Sequence, residues 1–366
     1  MKHEGDDRMN EKTKKTVAAA LAAALMTVSA PTAAEAGIFE TVVGAGVQYY
    51  AISSQLSKEI DYLDNDGRYD QFQELREKYG VNEDPELNAR LDSIMAKLTD
   101  AVGAVDPSIY DKPYNYFINN DTSFNAFCAL GHNMSVNTGM FDLTSCDDEI
   151  AVVIGHEMGH GQKNHVKKGT ENKLKTTIGL QALAQIVSGG SALGTVVGGF
   201  AANYASAVHV QKPQEREADK LSFQYVIHSN YNPGACAAIW QRMLDKHPNS
   251  GSSFLSDHPD HKDRRDTYVK SLTEYSDGHV KIDADAAHIK VNGKDFMTAA
   301  PSEDMSSQER ALFIMGNLAS AYHHGQNTQN AWADGGTVML GQQPIVAVVD
   351  GDGSAQELAA RLNSIK

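Results

Sequence analysis

The chain has 366 residues and a formal net charge of −15, with 47 acidic residues against 32 lysines and arginines. This excess of negative charge argues against nucleic-acid binding and against docking on anionic lipid, because both need positive charge on the protein. The length is sufficient for one large domain and a smaller one.

The first 36 residues have the pattern of a secretory signal. Lysines precede an uncharged run over residues 17–30, and Ala34-Glu35-Ala36 supplies the small residues that a signal peptidase reads. We therefore predict a signal peptide over residues 1–36 and an exported protein of the periplasm or cell envelope. An uncleaved membrane anchor is the alternative.

Three cysteines, Cys128, Cys146 and Cys236, show no CxxC spacing, which excludes a zinc knuckle or a redox motif. We expect three buried residues that behave as small hydrophobic side chains. A disulfide between Cys128 and Cys146 is the alternative.

The segment before residue 140 predicts helices followed by strands. Asp84 can cap a helix that begins at Pro85, and an apolar stripe along that helix indicates core packing. Residues 114–119 alternate like a strand, and residues 124–137 are typical of strand or turn.

The strongest chemical signal is the motif His156-Glu157-x-x-His160. On a helix, residues four apart lie on one face, so the two histidines can reach one metal ion, and Glu157 falls beside the open coordination site. We expect Thr144 or Ser145 to cap this helix. The pattern is that of zinc metallopeptidases, in which the glutamate is a general base. The alternative, a surface histidine pair, would bury polar groups without partners on an apolar helix.

A catalytic zinc site needs a third protein ligand and keeps its fourth position for water. Glu215 and Asp219 lie four apart on a predicted helix over residues 214–227, so both face the same way. One can bind zinc while the other accepts a hydrogen bond from the far nitrogen of a ligand histidine.

The uncharged segment over residues 176–210 is rich in glycine and alanine and carries several polar residues. Two glycine pairs interrupt it, which favours two packed helices or a mobile lid near the cleft. Membrane contact through this segment is the less favoured alternative.

Four local patterns resemble the HtpX-like and CAAX-prenyl-protease family of gluzincin zinc metallopeptidases, and within it the soluble exported branch that includes the beta-barrel-assembly-enhancing proteases. They are Asn125-Ala126-Phe127 with the residues up to Met140, Asp148-Glu149 before the motif helix, Glu215-x-Glu217-Ala218-Asp219, and Asp257-His258-Pro259 followed by Arg264. Their order and spacing agree with the family over residues 84–270.

The resemblance implies an α+β fold with a mainly helical zincin-like domain, a small sheet and the active-site helix. It also implies a set of site residues. These are His156, His160 and Glu215 as ligands of one Zn²⁺ per chain, Glu157 as base, and Asp219 behind a ligand histidine.

His258 resembles the family histidine that approaches the metal, where it either gates the open position or aids the transition state. His165 is set aside, because the extended metzincin motif needs its third histidine at position 166, which is Val166. The chain departs from the family at His132, which replaces a glycine, and at residues 211–214, which replace a Ser-Arg pair.

The implied function is a zinc-dependent endopeptidase that hydrolyses peptide bonds in protein substrates of the cell envelope, with Glu157 activating a zinc-bound water. We place Asn125, Ala126 and Phe127 at the substrate. The stretch from Phe127 to Val136 could hold the substrate as an added strand, or could pack wholly inside the core. A second hypothesis is a chaperone-like envelope protein whose zinc site is structural or plugged by His258.

We divide the mature chain into a metallopeptidase domain over residues 37–276 and a small α+β domain over residues 277–366, which no resemblance covers. In the latter, Asn292-Gly293 predicts a hairpin with a primed turn. Residues 350–353 lack the later ligands of a calcium loop and indicate a polar turn.

Two helices are predicted in this small domain from their N-terminal signals. Ser306 with Glu309, and Ser354 with Glu357, have the spacing of capping boxes. We also expect strands near residues 337–340 and 345–349, and no long internal repeat.

Overall fold

A computed structural model describes residues 53–177, 212–246 and 261–366, without the side chains of residues 173–177. The predicted signal peptide, His258 and almost all of the uncharged segment therefore lie outside the described residues. Within the described ranges, no helix is both long and apolar enough to cross a membrane.

The chain divides into two compact units. One comprises residues 1–62 with 170–200, and the other comprises residues 63–169 with 201–366. In the described part of the first unit, Leu56 is fully buried and Ser57 donates a hydrogen bond of 2.6 Å to Glu171. The second unit carries the candidate metal centre and the C-terminal region.

The elements before the C-terminal region are mainly helical, which confirms the predicted α+β class. Helical residues 53–64 precede α1 (Arg68–Tyr79), α2 (Pro85–Val105), α3 (Gly139–Leu143), α4 (Asp147–Gln162), α5 (His165–Thr177), α6 (Lys212–Ile227), α7 (Ala235–Lys246) and α8 (His261–Tyr275). The strands are β1 (Asn115–Asn119), β2 (Ala126–Ala129) and β3 (Asn133–Asn137).

These three strands form a sheet with β3 in the centre. β3 runs parallel to β1, with Asn115 opposite Asn133, and antiparallel to β2, with Ala126 opposite Val136. The sheet therefore has β2 at one edge, and that strand contacts the motif helix α4.

The predicted start of α2 is confirmed, whereas the predicted cap of α4 is wrong. Asp84 accepts hydrogen bonds from the backbone of the first turn of α2, as expected. The N-cap of α4 is Cys146, and its side chain makes no capping hydrogen bond. Ser145 instead donates from its N–H and its hydroxyl to Glu149, at 2.7 and 2.9 Å, because that glutamate reaches back from the first turn.

All three cysteines are free thiols, so the alternative of a disulfide is wrong. Cys128 and Cys236 are buried, as expected, while Cys146 is partly exposed.

The C-terminal region contains a structural repeat that the sequence analysis missed. The first copy is β4 (Val280–Asp283), β5 (His288–Val291), β6 (Lys294–Thr298) and α9 (Ser307–His323); the second is β7 (Ala331–Asp334), β8 (Thr337–Leu340), β9 (Gln343–Ala347) and α10 (Ala355–Ile365). Each copy is a three-stranded antiparallel meander followed by a helix, and each has a bulge between its second and third strands.

The repeat copies exchange packing partners. α9 packs on β9 of the second copy as well as on β4, and α10 packs on β6 of the first copy as well as on β7. Arg310 of α9 also forms an ion pair with the buried side chain of Asp352, which follows β9 in the second copy. Neither copy therefore covers its own sheet alone.

The predicted local signals of this region are largely confirmed. Asn292 and Gly293 both have positive φ, as a primed turn requires. Ser354 and Glu357 form a full capping box. Ser306 caps α9, but the Glu309 carboxylate pairs with Arg242 instead of closing a box.

One hydrophobic core runs through the larger unit, from Leu91 in α2 to Ile365 in α10. α9 packs against both α7 and α8, so the repeat shares its interior with the helices around the motif. The domain boundary at residue 276 stays a prediction.

A buried ion triad links the repeat to the motif helix. Arg242 of α7 lies between Glu149 of α4, at 3.3 Å, and Glu309 of α9. Burial and the nearby Glu149 raise the pKa of Glu309 from its usual 4.5 to about 8, because two carboxylates share one guanidinium. Lys246 is a further cation at this junction, and its ammonium donates to the Leu143 carbonyl.

This triad predicts a pH-dependent stability. Between pH 4.5 and 8 the native state keeps a proton on Glu309 that the unfolded chain has released. The contribution of Glu309 to the free energy of unfolding is therefore fully present below pH 4.5, and it is lost as the pH rises through 8. We expect Glu309→Gln, which cannot ionise, to gain stability relative to wild type as the pH rises through this window. Urea unfolding at a series of pH values measures the difference.

The exposed Glu303→Gln is the matched control and should show no such trend. A stability difference for Glu309→Gln that stays constant with pH would contradict this account of the triad.

Candidate metal centre

The motif helix α4 and helix α6 cross at close range because the residues at the crossing are small. A Cβ added at Gly159 would lie 3.2 Å from the Ala218 Cα, and one added at Gly155 would lie 3.3 Å from the Ser222 hydroxyl. Ser222 also donates a 2.7 Å hydrogen bond to the Val152 carbonyl of the facing helix. The two glycines of the motif thus let α6 approach close enough for its side chains to meet the histidines.

Three donor side chains converge beside this crossing. The Nε2 atoms of His156 and His160 are 3.0 Å apart, and each lies 3.4 Å from a carboxylate oxygen of Glu215. All three residues are buried, and among the described residues they form the one group of this kind that could hold a metal ion.

The donor set fits zinc. A tetrahedral zinc ion with ligand distances of about 2.0–2.2 Å holds its ligand atoms about 3.3 Å apart. The observed separations of 3.0 and 3.4 Å agree with that spacing. Two imidazoles and one carboxylate leave the fourth position for water, as in catalytic sites.

The electrostatics of the centre also favour a cation. Burial lowers the pKa of His160 to about 4, so this ring is a neutral imidazole, the form that binds a metal. Burial and Arg264 lower the pKa of His156, but hydrogen bonds to Asp219 and Glu215 outweigh them and raise it to about 9. The carboxylates thus favour positive charge between the rings, which a metal ion supplies.

Asp219 lies behind His156, on the side away from Glu215. Its carboxylate is 2.9 Å from Nδ1 of His156, which leaves Nε2 facing Glu215. Burial opposes the charge on Asp219, but Arg264 and His156 hold its pKa well below the usual range. An ionised acceptor at this place fixes the proton of His156 on Nδ1 and frees Nε2 for a metal.

Glu157 points toward the edge of the sheet. It is the one motif residue with some exposure, and its carboxylate accepts a 3.1 Å hydrogen bond from the Cys128 N–H. Burial of the carboxyl group raises the pKa of Glu157 to about 7. A carboxyl group with a pKa near neutrality is suited to take up a proton and return it.

A cleft opens next to the donor cluster, between β2, α4, α7 and α8. Its lining residues are Phe124, Asn125, Ala126, Val153, His156, Glu157, Trp240 and Arg264. Asn125 and Ala126 thus line the cleft, while their contact with substrate stays a prediction. The Phe127 side chain does not line the cleft, because alternate residues of a strand face opposite ways, and it packs against Phe72 and Tyr79 behind the sheet.

Three residues near the cluster received no role from the sequence: Trp240, Arg264 and His165. The Trp240 ring lies 3.6 Å from the Arg264 guanidinium, and the two residues line the cleft from α7 and α8. His165, which had been set aside, lies with its Nδ1 3.0 Å from Nδ1 of His160. Nothing local in the sequence marks Trp240 as a cleft residue, and a spacing of five residues does not place His165 on the same helix face as His160.

Comparison with known proteins agrees with this geometry. The model of peptidase family M48 matches residues 85–270, which is half of the chain. The range coincides with the span of the resemblance seen in the sequence, and that resemblance is confirmed.

Several metalloproteases are similar to the chain. They are the metalloprotease LoiP of Escherichia coli, 30% identical over 167 residues, the beta-barrel assembly-enhancing protease of Escherichia coli, 23% identical over 179 residues, and the mitochondrial metalloendopeptidase OMA1 of Arabidopsis thaliana, 29% identical over 149 residues. The matches cover 44%, 47% and 40% of this chain and 64%, 36% and 29% of those proteins. The chain therefore spans less than two thirds of each of them.

The close helix crossing predicts that alanine at Gly159 impairs stability and zinc binding more than alanine at Gly155. Gly159→Ala gains about 1 kcal/mol of helix propensity, but its Cβ meets Ala218 backbone at 3.2–3.3 Å, and overpacking of this kind costs about 1–3 kcal/mol. We expect a net loss of stability and weaker zinc binding, because Glu215 moves away with α6. Urea unfolding and a chelator competition measure the two effects.

Gly155→Ala is the matched comparison, because its nearest neighbour is the Ser222 side chain at 3.3 Å and not backbone. It should cost less on both measures. Equal behaviour of the two variants would show that the crossing distance does not control the site.

Proposed function

Since the chain belongs to peptidase family M48, we propose that it is a zinc-dependent endopeptidase that hydrolyses peptide bonds in protein substrates of the cell envelope. The observation that carries this proposal is the buried convergence of His156, His160 and Glu215, with Glu157 beside it and a cleft in front. A site that only stabilised the fold would need no base and no open approach.

Each side chain has a separate role in the proposed reaction. A zinc ion held by His156, His160 and Glu215 would supply Lewis-acid activation of water and of the scissile carbonyl. Glu157 takes the proton from the attacking water and returns it to the leaving amine.

The edge of β2 that faces away from β3 is the proposed binding site for the substrate main chain. The Asn137 N–H donates to the Asn125 carbonyl, so in the antiparallel ladder residues 125, 127 and 129 bond to β3. The N–H and C=O groups of Ala126 and Cys128 then point away from β3. A substrate added there as a strand would be recognised largely through its main chain.

The same edge brings the substrate to the base. The Cys128 N–H, one of these edge groups, already donates to Glu157. A chain paired with β2 therefore lies against that carboxylate. This geometry favours extended or unfolded protein segments, because a folded domain presents few free strands.

The cell-envelope location is also part of the proposal. It is supported by the signal-like pattern of residues 1–36, and by the similarity to a beta-barrel assembly-enhancing protease. The gating or catalytic role of His258, and the chaperone-like alternative, stay predictions for the same reason: both depend on what reaches the metal.

Removing the base tests the proposed activity. We expect Glu157→Gln to cleave an unfolded protein substrate about 10²–10⁴ times more slowly than wild type, the usual contribution of general base catalysis. Its zinc content should be unchanged, because Glu157 is not a ligand. Cleavage is followed by the release of peptides.

The controls are a zinc chelator, which should abolish wild-type cleavage, and zinc re-addition, which should restore it. Cleavage by Glu157→Gln at the wild-type rate would contradict the proposal, and binding of unfolded protein without cleavage would favour the chaperone-like alternative.

A further inference from the structure

The second ligand histidine, His160, has a supporting partner of its own. Both ligand histidines turn Nε2 toward Glu215, so each must satisfy its Nδ1 elsewhere. Nδ1 of His156 meets Asp219. Nδ1 of His160 lies 3.0 Å from Nδ1 of His165, and Nε2 of His165 lies 3.1 Å from a carboxylate oxygen of Glu217.

When a metal is bound, these contacts allow only one assignment of the ring protons of His160 and His165. A neutral imidazole that binds a metal through Nε2 carries its proton on Nδ1, so His160 donates to His165. His165 then accepts on Nδ1 and carries its own proton on Nε2. That proton is donated to Glu217, which as a carboxylate can only accept.

The local backbone places His165 at this point. The chain leaves α4 through Asn164, which has a left-handed φ of 54° and whose N–H bonds to the Gly161 carbonyl. This turn brings the next residue back beside the helix end, so the His165 ring stands edge-on to the His160 ring at 5.1 Å. His165 is 3% exposed, so its ring is held by packing as well as by hydrogen bonds.

We propose that His165 and Glu217 are a positioning pair that fixes the ring orientation and the tautomer of the zinc ligand His160. The proposal rests on the zinc site of the proposed function. Helix α6 then contributes three acidic residues to the centre, at every second position. Glu215 faces the metal position and Asp219 contacts His156 directly. Glu217 acts on His160 through His165.

The test is zinc affinity, measured by chelator competition on the full chain, beside the urea stability of the metal-free protein. We expect His165→Ala to weaken zinc binding about 10–100-fold, the usual effect of removing such a partner. His165→Gln, whose amide oxygen can accept from Nδ1 of His160, should recover part of that loss. A purely structural role would lower the stability of the metal-free protein and leave zinc affinity unmoved.

Glu217 provides the second variant, because its side chain is half exposed and its removal should not impair folding. Glu217→Ala should weaken zinc binding severalfold, while Arg216→Ala, at the exposed neighbouring position, should not. The double variant His165→Ala with Glu217→Ala should bind zinc no more weakly than His165→Ala alone, because Glu217 acts through His165.

Three results would overturn the proposal. The first is a zinc affinity of His165→Ala within about twofold of wild type, where the usual loss is about 10–100-fold. The second is an unchanged zinc affinity of Glu217→Ala. The third is a double variant in which the two losses of zinc affinity add. Absence of zinc binding by the wild-type chain would instead overturn the proposed function itself, and is seen before any variant is made.

Discussion

The close crossing of helices α4 and α6 is the constraint on which the centre depends. Gly155 and Gly159 face Ala218 and Ser222, and no larger pair of surfaces would let the two helices approach so closely. The approach buries Glu215 against the histidines. It therefore converts a two-histidine motif into a three-donor cluster.

Burying that much charge requires compensation, and the surrounding helices supply it. Asp219 is held by Arg264 of α8, whose guanidinium lies over the Trp240 ring of α7, while Tyr268 of α8 also donates to Asp219. Removing one partner of a buried pair costs about 3–5 kcal/mol, so these contacts hold four helices in one arrangement around the cluster. Glu157 remains the partly exposed member, facing the cleft and the edge strand.

Local patterns in the sequence predict the local parts of this structure. The cap at Asp84 and the primed turn at Asn292-Gly293 are confirmed because each depends on neighbouring residues. The C-terminal repeat was not found, because its copies share an order of strands and bulges and little sequence. Trp240 and His165 were missed for different reasons: the first reaches the cleft by tertiary packing, and the second needs a left-handed turn at Asn164.

The central claim is that His156, His160 and Glu215 hold one zinc ion with an open fourth position. X-ray absorption at the zinc edge, with metal analysis of the purified chain, tests it most directly. The account predicts about one zinc per chain with two imidazole nitrogens and light oxygen ligands near 2.0–2.2 Å, and loss of that zinc in Glu215→Ala. A chain without zinc, a sulfur ligand from a cysteine, or an unchanged spectrum in Glu215→Ala would contradict it.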